Sequence, residues 1–155
     1  MEGTYLRLQR KLILPLFLVF AGLFIQQTAN GQEYRAVIYE AYITGKMDRW
    51  KTAMDTRYAA WKSDRKTEDL YALLEMEYGY IAWLISVDRK KEAREMVKSA
   101  EQHIEQLLEH KPDWARVLAF RGAIYGFKVG LNPYKAVVWG KRSFDSNKEA
   151  FALAP

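Results

Sequence analysis

Cysteine is absent from the 155 residues, and that one absence removes several kinds of protein together. Without thiols there is no disulfide framework, no thiolate nucleophile, no Cys-ligated zinc or iron–sulfur site, and no lipid-modified N-terminal Cys. Proline is scarce, with four residues, and histidine scarcer, with two. No stretch alternates apolar and polar residues cleanly enough to read as strands. The excess of positive charge is small too, 24 Lys+Arg against 19 Asp+Glu, which gives no ground for nucleic-acid binding.

What is present begins with one apolar run. Residues 12–25 (LILPLFLVFAGLFI) hold 12 apolar residue types in 14 positions. Arg7, Arg10 and Lys11 precede the run, and Ala29 and Gly31 follow it at signal-peptidase spacing. This is the pattern of a secretory signal over residues 1–31, cut before Gln32. A membrane span needs about 20 apolar residues, and this run is shorter and carries Pro15. The expectation is therefore an exported product, periplasmic or secreted, with no stable membrane span after cleavage. Residues 32–155 then carry 21 Lys+Arg and 18 Asp+Glu, and their longest same-sign run is Arg89-Lys90-Lys91. Such interspersed charge reads as a solvated helical surface.

Helical periodicity recurs through the rest of the chain. Residues 34–44 place Tyr34, Ile38, Ala41 and Tyr42 on one side before Gly45, and residues 47–62 place Met47, Trp50, Met54, Tyr58 and Trp61 on one stripe. After a polar turn, with Thr67 as a candidate N-cap, residues 68–87 are apolar nearly all round, so this helix is expected at the centre. Residues 91–110 carry a narrow stripe from Ala93 to Leu108 on a charged helix. Lys111-Pro112-Asp113 ends it, with Asp113 placed to cap the helix over 114–129. Gly130 to Pro133 make the next stop, and a sixth helix follows, with Gly140 as a candidate break. The fold class expected is all-α, with the helices in antiparallel pairs.

The pairs repeat. Ala93 and Pro112 are 19 apart, as are Ala136 and Pro155, and the two sets are offset by 43. The same offset lays Tyr71 over Trp114, Gly79 over Gly122 and Ile81 over Ile124, and one step back puts Ala36 under Gly79. Three hairpins follow, over about 33–63, 67–110 and 113–155. Leu118-x2-Arg121-Gly122-x2-Tyr125 and Ala93-x3-Val97 resemble the W-x2-L-G-x2-Y and A-x3-F parts of the tetratricopeptide repeat (TPR). Each closing Pro lies seven residues late, which two extra helical turns in each second helix accommodate. Trp50 departs from the pattern by standing where a small Ala is expected. The strings YGYIAWLI (78–85) and AIYGFKVGLNPYKA (123–136) resemble a group of small exported bacterial proteins with such repeats over about residues 33–155. Members of that group continue through further helices. The resemblance implies a TPR-like α-α solenoid with lengthened second helices, in a chain that is either a C-terminally truncated fragment or self-associates through an uncapped edge bearing Phe144, Phe151 and Leu153.

Chemistry is sparse. His103 and His110 are seven apart, not the i, i+3 or i, i+4 spacing of helical metal pairs, and read as residues at the edge of an apolar stripe. Glu75 and Glu77, two apart, point in different directions, and Glu77 is expected to meet Arg57 or Arg121. No Gly-rich phosphate loop or activated nucleophile is evident, so the expectation is no enzyme and no cofactor. The aromatics are abundant, with five Trp, nine Tyr and four Phe after residue 31. In a tetratricopeptide register, Arg35, Tyr39, Tyr42, Glu75, Tyr78 and Arg116 lie on the concave face. Tyr and Arg are what binding surfaces favour. The function expected is a protein- or peptide-binding scaffold, and the alternative is a structural or lipid-handling envelope module.

Overall fold

The computed structural model describes residues 34–154. The segment 1–31, read above as an export signal, lies outside them, as does Pro155. Every regular element among the described residues is helical. The chain divides between Lys46 and Met47 into two units, each taken by itself.

In the first unit helix α1 covers 34–44. Its end is defined by Gly45, whose φ of +69° is one that glycine adopts without a Cβ clash. The Gly45 N–H donates to Tyr42 O at 3.3 Å, and Thr44 Oγ1 donates back to Glu40 O at 2.6 Å.

The second unit contains α2 (Met47–Asp64), α3 (Thr67–Ser86), α4 (Lys90–His110), α5 (Ala115–Leu131), a 3₁₀ turn at Pro133–Lys135 and α6 (Ala136–Leu153). Each helix packs on the next, and α3 also meets α5. Helix α3 is central, as its all-round apolar sequence requires. Leu70, Leu73, Leu74, Ile81 and Leu84 are each 0–2% exposed, and full burial of one such side chain contributes about 1.5–3 kcal/mol. Helix α4 buries the narrow stripe Ala93, Val97, Ala100, Ile104 and Leu107.

The helix ends differ from the caps anticipated. The residue before α3 is Lys66, and its side chain makes no cap hydrogen bond, so Thr67 is the first helical residue rather than the cap. Trp114, not Asp113, precedes α5. Backbone geometry closes α3 instead. Asp88 adopts φ 60°, its N–H donates to Ile85 O, and the Arg89 N–H donates to Leu84 O at 2.9 Å, which is the Schellman pattern. Gly140 does not break α6. It sits inside a continuous helix, because one glycine lowers propensity by only about 1 kcal/mol and packing outweighs it.

Glycines 79 and 122, 43 apart in sequence, are both points of close approach but to different partners. A Cβ on Gly79 would lie 2.9 Å from the Trp50 ring of α2, whereas one on Gly122 would lie 2.6 Å from Asn147 of α6. The large Trp50 fits because its neighbour on α3 has no side chain.

Candidate functional site

The surface formed by α3 and α5 carries a run of aromatic rings. Tyr71 stacks on Trp114 with centroids 4.9 Å apart and meets the edge of Phe120 at 6.1 Å. Tyr78 meets Phe120 at 5.5 Å and Phe127 at 5.3 Å. Four rings come from positions 71 and 78 of α3 and 120 and 127 of α5, seven apart on each helix and so on the same side of it, and Trp114 stands just before α5. Tyr78 is 38% exposed, and the other four are half-buried. This is large, rigid apolar area still within reach of a partner.

Two polar groups join this row. Arg116 and Glu75 lie near enough to the Tyr71 hydroxyl to act on its charge. Burial pushes the Tyr71 phenol above its ordinary range, the Glu75 carboxylate adds to that, and the Arg116 guanidinium opposes it. Of the six residues singled out in the sequence, Glu75, Tyr78 and Arg116 are thus brought together on one surface. Arg35, Tyr39 and Tyr42 are exposed on α1 in the other unit. The sequence reasoning missed Tyr71, Trp114, Phe120 and Phe127. The 43-residue offset that aligned Tyr71 with Trp114 was the signal that could have found those two.

A second concavity, of about 230 Å³, lies between α2, α3 and α4, with Glu77 and His103 among its lining residues. Glu77 does not meet Arg57 or Arg121. Arg57 pairs with Asp69 across the α2–α3 corner, and Arg121 pairs with Glu149 at 2.6 Å and Ser146 at 3.1 Å. Instead His103 Nδ1 lies 2.9 Å from Glu77 Oε2, with the two residues 8% and 4% exposed. His103 is therefore inside the core rather than at its margin, against the rings of Tyr58 and Trp61 at 5.7 and 6.2 Å. Burial holds the Glu77 carboxyl above the usual carboxylate range, and the hydrogen bond and charge of His103 oppose that. A carboxylate orienting an imidazole is half of a general-base arrangement. Among the described residues neither side chain makes a second side-chain hydrogen bond, and no group of three His, Asp or Glu residues stands close enough to hold a metal ion.

Helix α6 presents Val137, Phe144 and Phe151, spaced by seven and 87%, 68% and 82% exposed. They form one stripe on that helix. No helix among the described residues is long and apolar enough to cross a membrane. Compared with known families, curated proteins and solved structures, the chain shows no match.

Proposed function

We propose that this chain is an exported, non-enzymatic helical-repeat protein of tetratricopeptide-like architecture that binds a protein or peptide across the α3–α5 face. The order of side-chain contacts supports the architecture. Trp50 meets Tyr80 while Arg57 meets Asp69, so residue numbers fall along α3 as they rise along α2. Arg94 meets Leu131 while Lys128 meets Glu101, and Tyr125 meets Trp139 while Arg121 meets Glu149. Between α3 and α5 the order is reversed: Tyr71 meets Trp114 and Tyr78 meets Phe127, both rising. Stacked hairpins require this alternation, with every second helix in register by one repeat. Export is supported by the charged, apolar and small-residue pattern of residues 1–31.

The observation that carries the function is the half-buried row Trp114, Tyr71, Phe120, Tyr78 and Phe127, with Glu75 and Arg116 beside it. Aromatic and Arg side chains at the centre of an interface carry most of its energy, typically 2 kcal/mol or more each. The α6 stripe supports self-association as a further property of the same array, since two copies would each cover the other's Phe144 and Phe151. The test places a photo-crosslinking residue at position 82 of α3, which is exposed beside this row, in cells expressing the full chain. Tyr78→Ala and Arg116→Ala are then introduced into that background. A crosslinked protein adduct that both substitutions abolish, with helicity kept, is the expected result. An adduct indifferent to both would refute the binding face, and no adduct at position 82 would do the same.

A further inference from the structure

A different surface, where α4 meets the turn between α5 and α6, has the character of a ligand groove. Two hollows of about 580 and 260 Å³ lie side by side and share Arg94, Leu131 and Asn132 in their walls. Its walls carry Lys90, Arg94, Lys98, Lys128 and Lys135 with one carboxylate among them, Glu101, and Lys90 pairs with Asp88 at 2.8 Å just outside. In a chain with only a small overall excess of positive charge, that is a strong local concentration. The floor is apolar, formed by Val97 and Leu131, 3% and 6% exposed. Lys128 is tied to Glu101 at 2.6 Å, and Arg94 donates to Leu131 O at 3.1 Å. Lys98 and Lys135 are exposed and have no partner among the described residues.

Spacing selects the ligand. Lys90, Arg94 and Lys98 recur every four residues along α4, so their stems rise about 6 Å apart on one side of the helix. An extended peptide repeats its same-side residues every two positions, about 6.6–6.8 Å apart. Acidic side chains at alternate positions of an extended strand therefore match this row over three successive charges. The face of Trp139, the aromatic at one end, is already covered by Lys128 Nζ at 3.6 Å and Arg142 at 4.8 Å, with Tyr125 stacked nearby at 5.7 Å. That ring offers no free platform for a nucleobase or a sugar.

We infer that the groove between α4 and the α5–α6 turn binds an extended acidic peptide segment whose Asp or Glu side chains stand at alternate positions. The acidic side chains lie against Lys90, Arg94 and Lys98, while the backbone crosses Leu131 and Asn132. Lys135 closes the opposite wall. This site is independent of the α3–α5 face, and either can fail without the other.

The test is fluorescence anisotropy with the full chain and a labelled peptide of about seven residues alternating Glu and Ala. The comparison peptide has the same composition with its Glu residues in one block. The alternating peptide is expected to bind about fivefold or more tightly than the block isomer, and to weaken as salt rises. Lys98→Glu and Lys135→Glu should each weaken it by about tenfold. Lys148→Glu, an equal charge change at an exposed α6 position outside the groove, should leave it unaltered. All three positions are exposed, and unchanged helicity checks that the fold survives. Equal affinity for the two peptides, no binding at low salt, or equal loss in Lys148→Glu would overturn the proposal. Tighter binding of a sulfated glycan or a single-stranded oligonucleotide than of the alternating peptide would overturn it as well.

Discussion

The buried Glu77–His103 pair invites a direct test, because its two residues fail differently when separated. Both are under 10% exposed and are joined at 2.9 Å between α3 and α4. His103→Leu removes the one side-chain hydrogen-bond partner that the buried Glu77 carboxyl has among the described residues. Breaking such a pair from one side destabilises a protein by about 3–5 kcal/mol, since the remaining charge is left uncompensated. The carboxyl is already displaced toward its protonated form by burial, which lets the variant take up a proton and places the expected loss near the lower end, about 3 kcal/mol at neutral pH. For a chain of this length that lowers the melting temperature by about 10 °C. Glu77→Leu leaves the buried imidazole without its hydrogen-bond partner, at an expected loss of about 1–3 kcal/mol. In Glu77→Leu/His103→Leu both polar groups are gone and two apolar side chains fill the space, so the double variant should be less destabilised than the two singles added together, by about 2 kcal/mol or more. Urea denaturation followed by circular dichroism measures all four proteins. Single losses below about 1 kcal/mol, or a double variant equal to the sum of the singles, would show that the two side chains are not coupled in the folded core.

The same pair makes stability depend on pH. The folded protein holds a proton on Glu77 more tightly than the unfolded chain does. This contribution is therefore fully present below the ordinary carboxylate value of 4.5 and is lost as pH rises through the folded value. Glu77→Gln should flatten that part of the melting-temperature profile, and parallel profiles for the two proteins would contradict the assignment. Two glycine substitutions should act in opposite directions. Gly140→Ala, with nothing within 4 Å of the added Cβ, should stabilise by about 0.5–1 kcal/mol through helix propensity alone. Gly79→Ala pushes a methyl to 2.9 Å from the Trp50 ring and should destabilise by about 1–3 kcal/mol despite the same gain in propensity. Thermal melts of the two variants distinguish these cases, and equal shifts would mean that Trp50 does not lie where α2 and α3 place it.

Much of the helical architecture was legible because apolar periodicity and chain breaks are local. Leu70 to Leu84 signalled a helix covered on several sides, and α3 packs against α2, α4 and α5. The stripe from Ala93 to Leu107 named the buried side of α4 in advance. The candidate site was half legible. Glu75, Tyr78 and Arg116 were placed on one side by a repeat register and lie on one surface, but the register did not single out the rings around them. Capping was read less well. Thr67 and Asp113 have the right chemistry for caps, yet the backbone enters each helix one residue away, through Lys66 and Trp114. Side-chain capacity to cap does not fix where the chain turns.

The sequence by itself determined the helical class, the centrality of α3 and the 43-residue offset between Tyr71 and Trp114, since each follows from spacing along one chain. Tertiary structure alone decided which charges meet. Arg57, Arg121 and His103 were all within reach of Glu77 by type, and only the packing of α3 on α4 selected His103, while Asp69 and Glu149 took the two arginines. It also decided that Arg94 and Lys98 line one hollow together with Lys128 and Lys135. The physical reason is that periodicity is a one-dimensional property set by 3.6 residues per turn, whereas a partner across a helix interface depends on the rotation and offset of two helices, which the whole core fixes together.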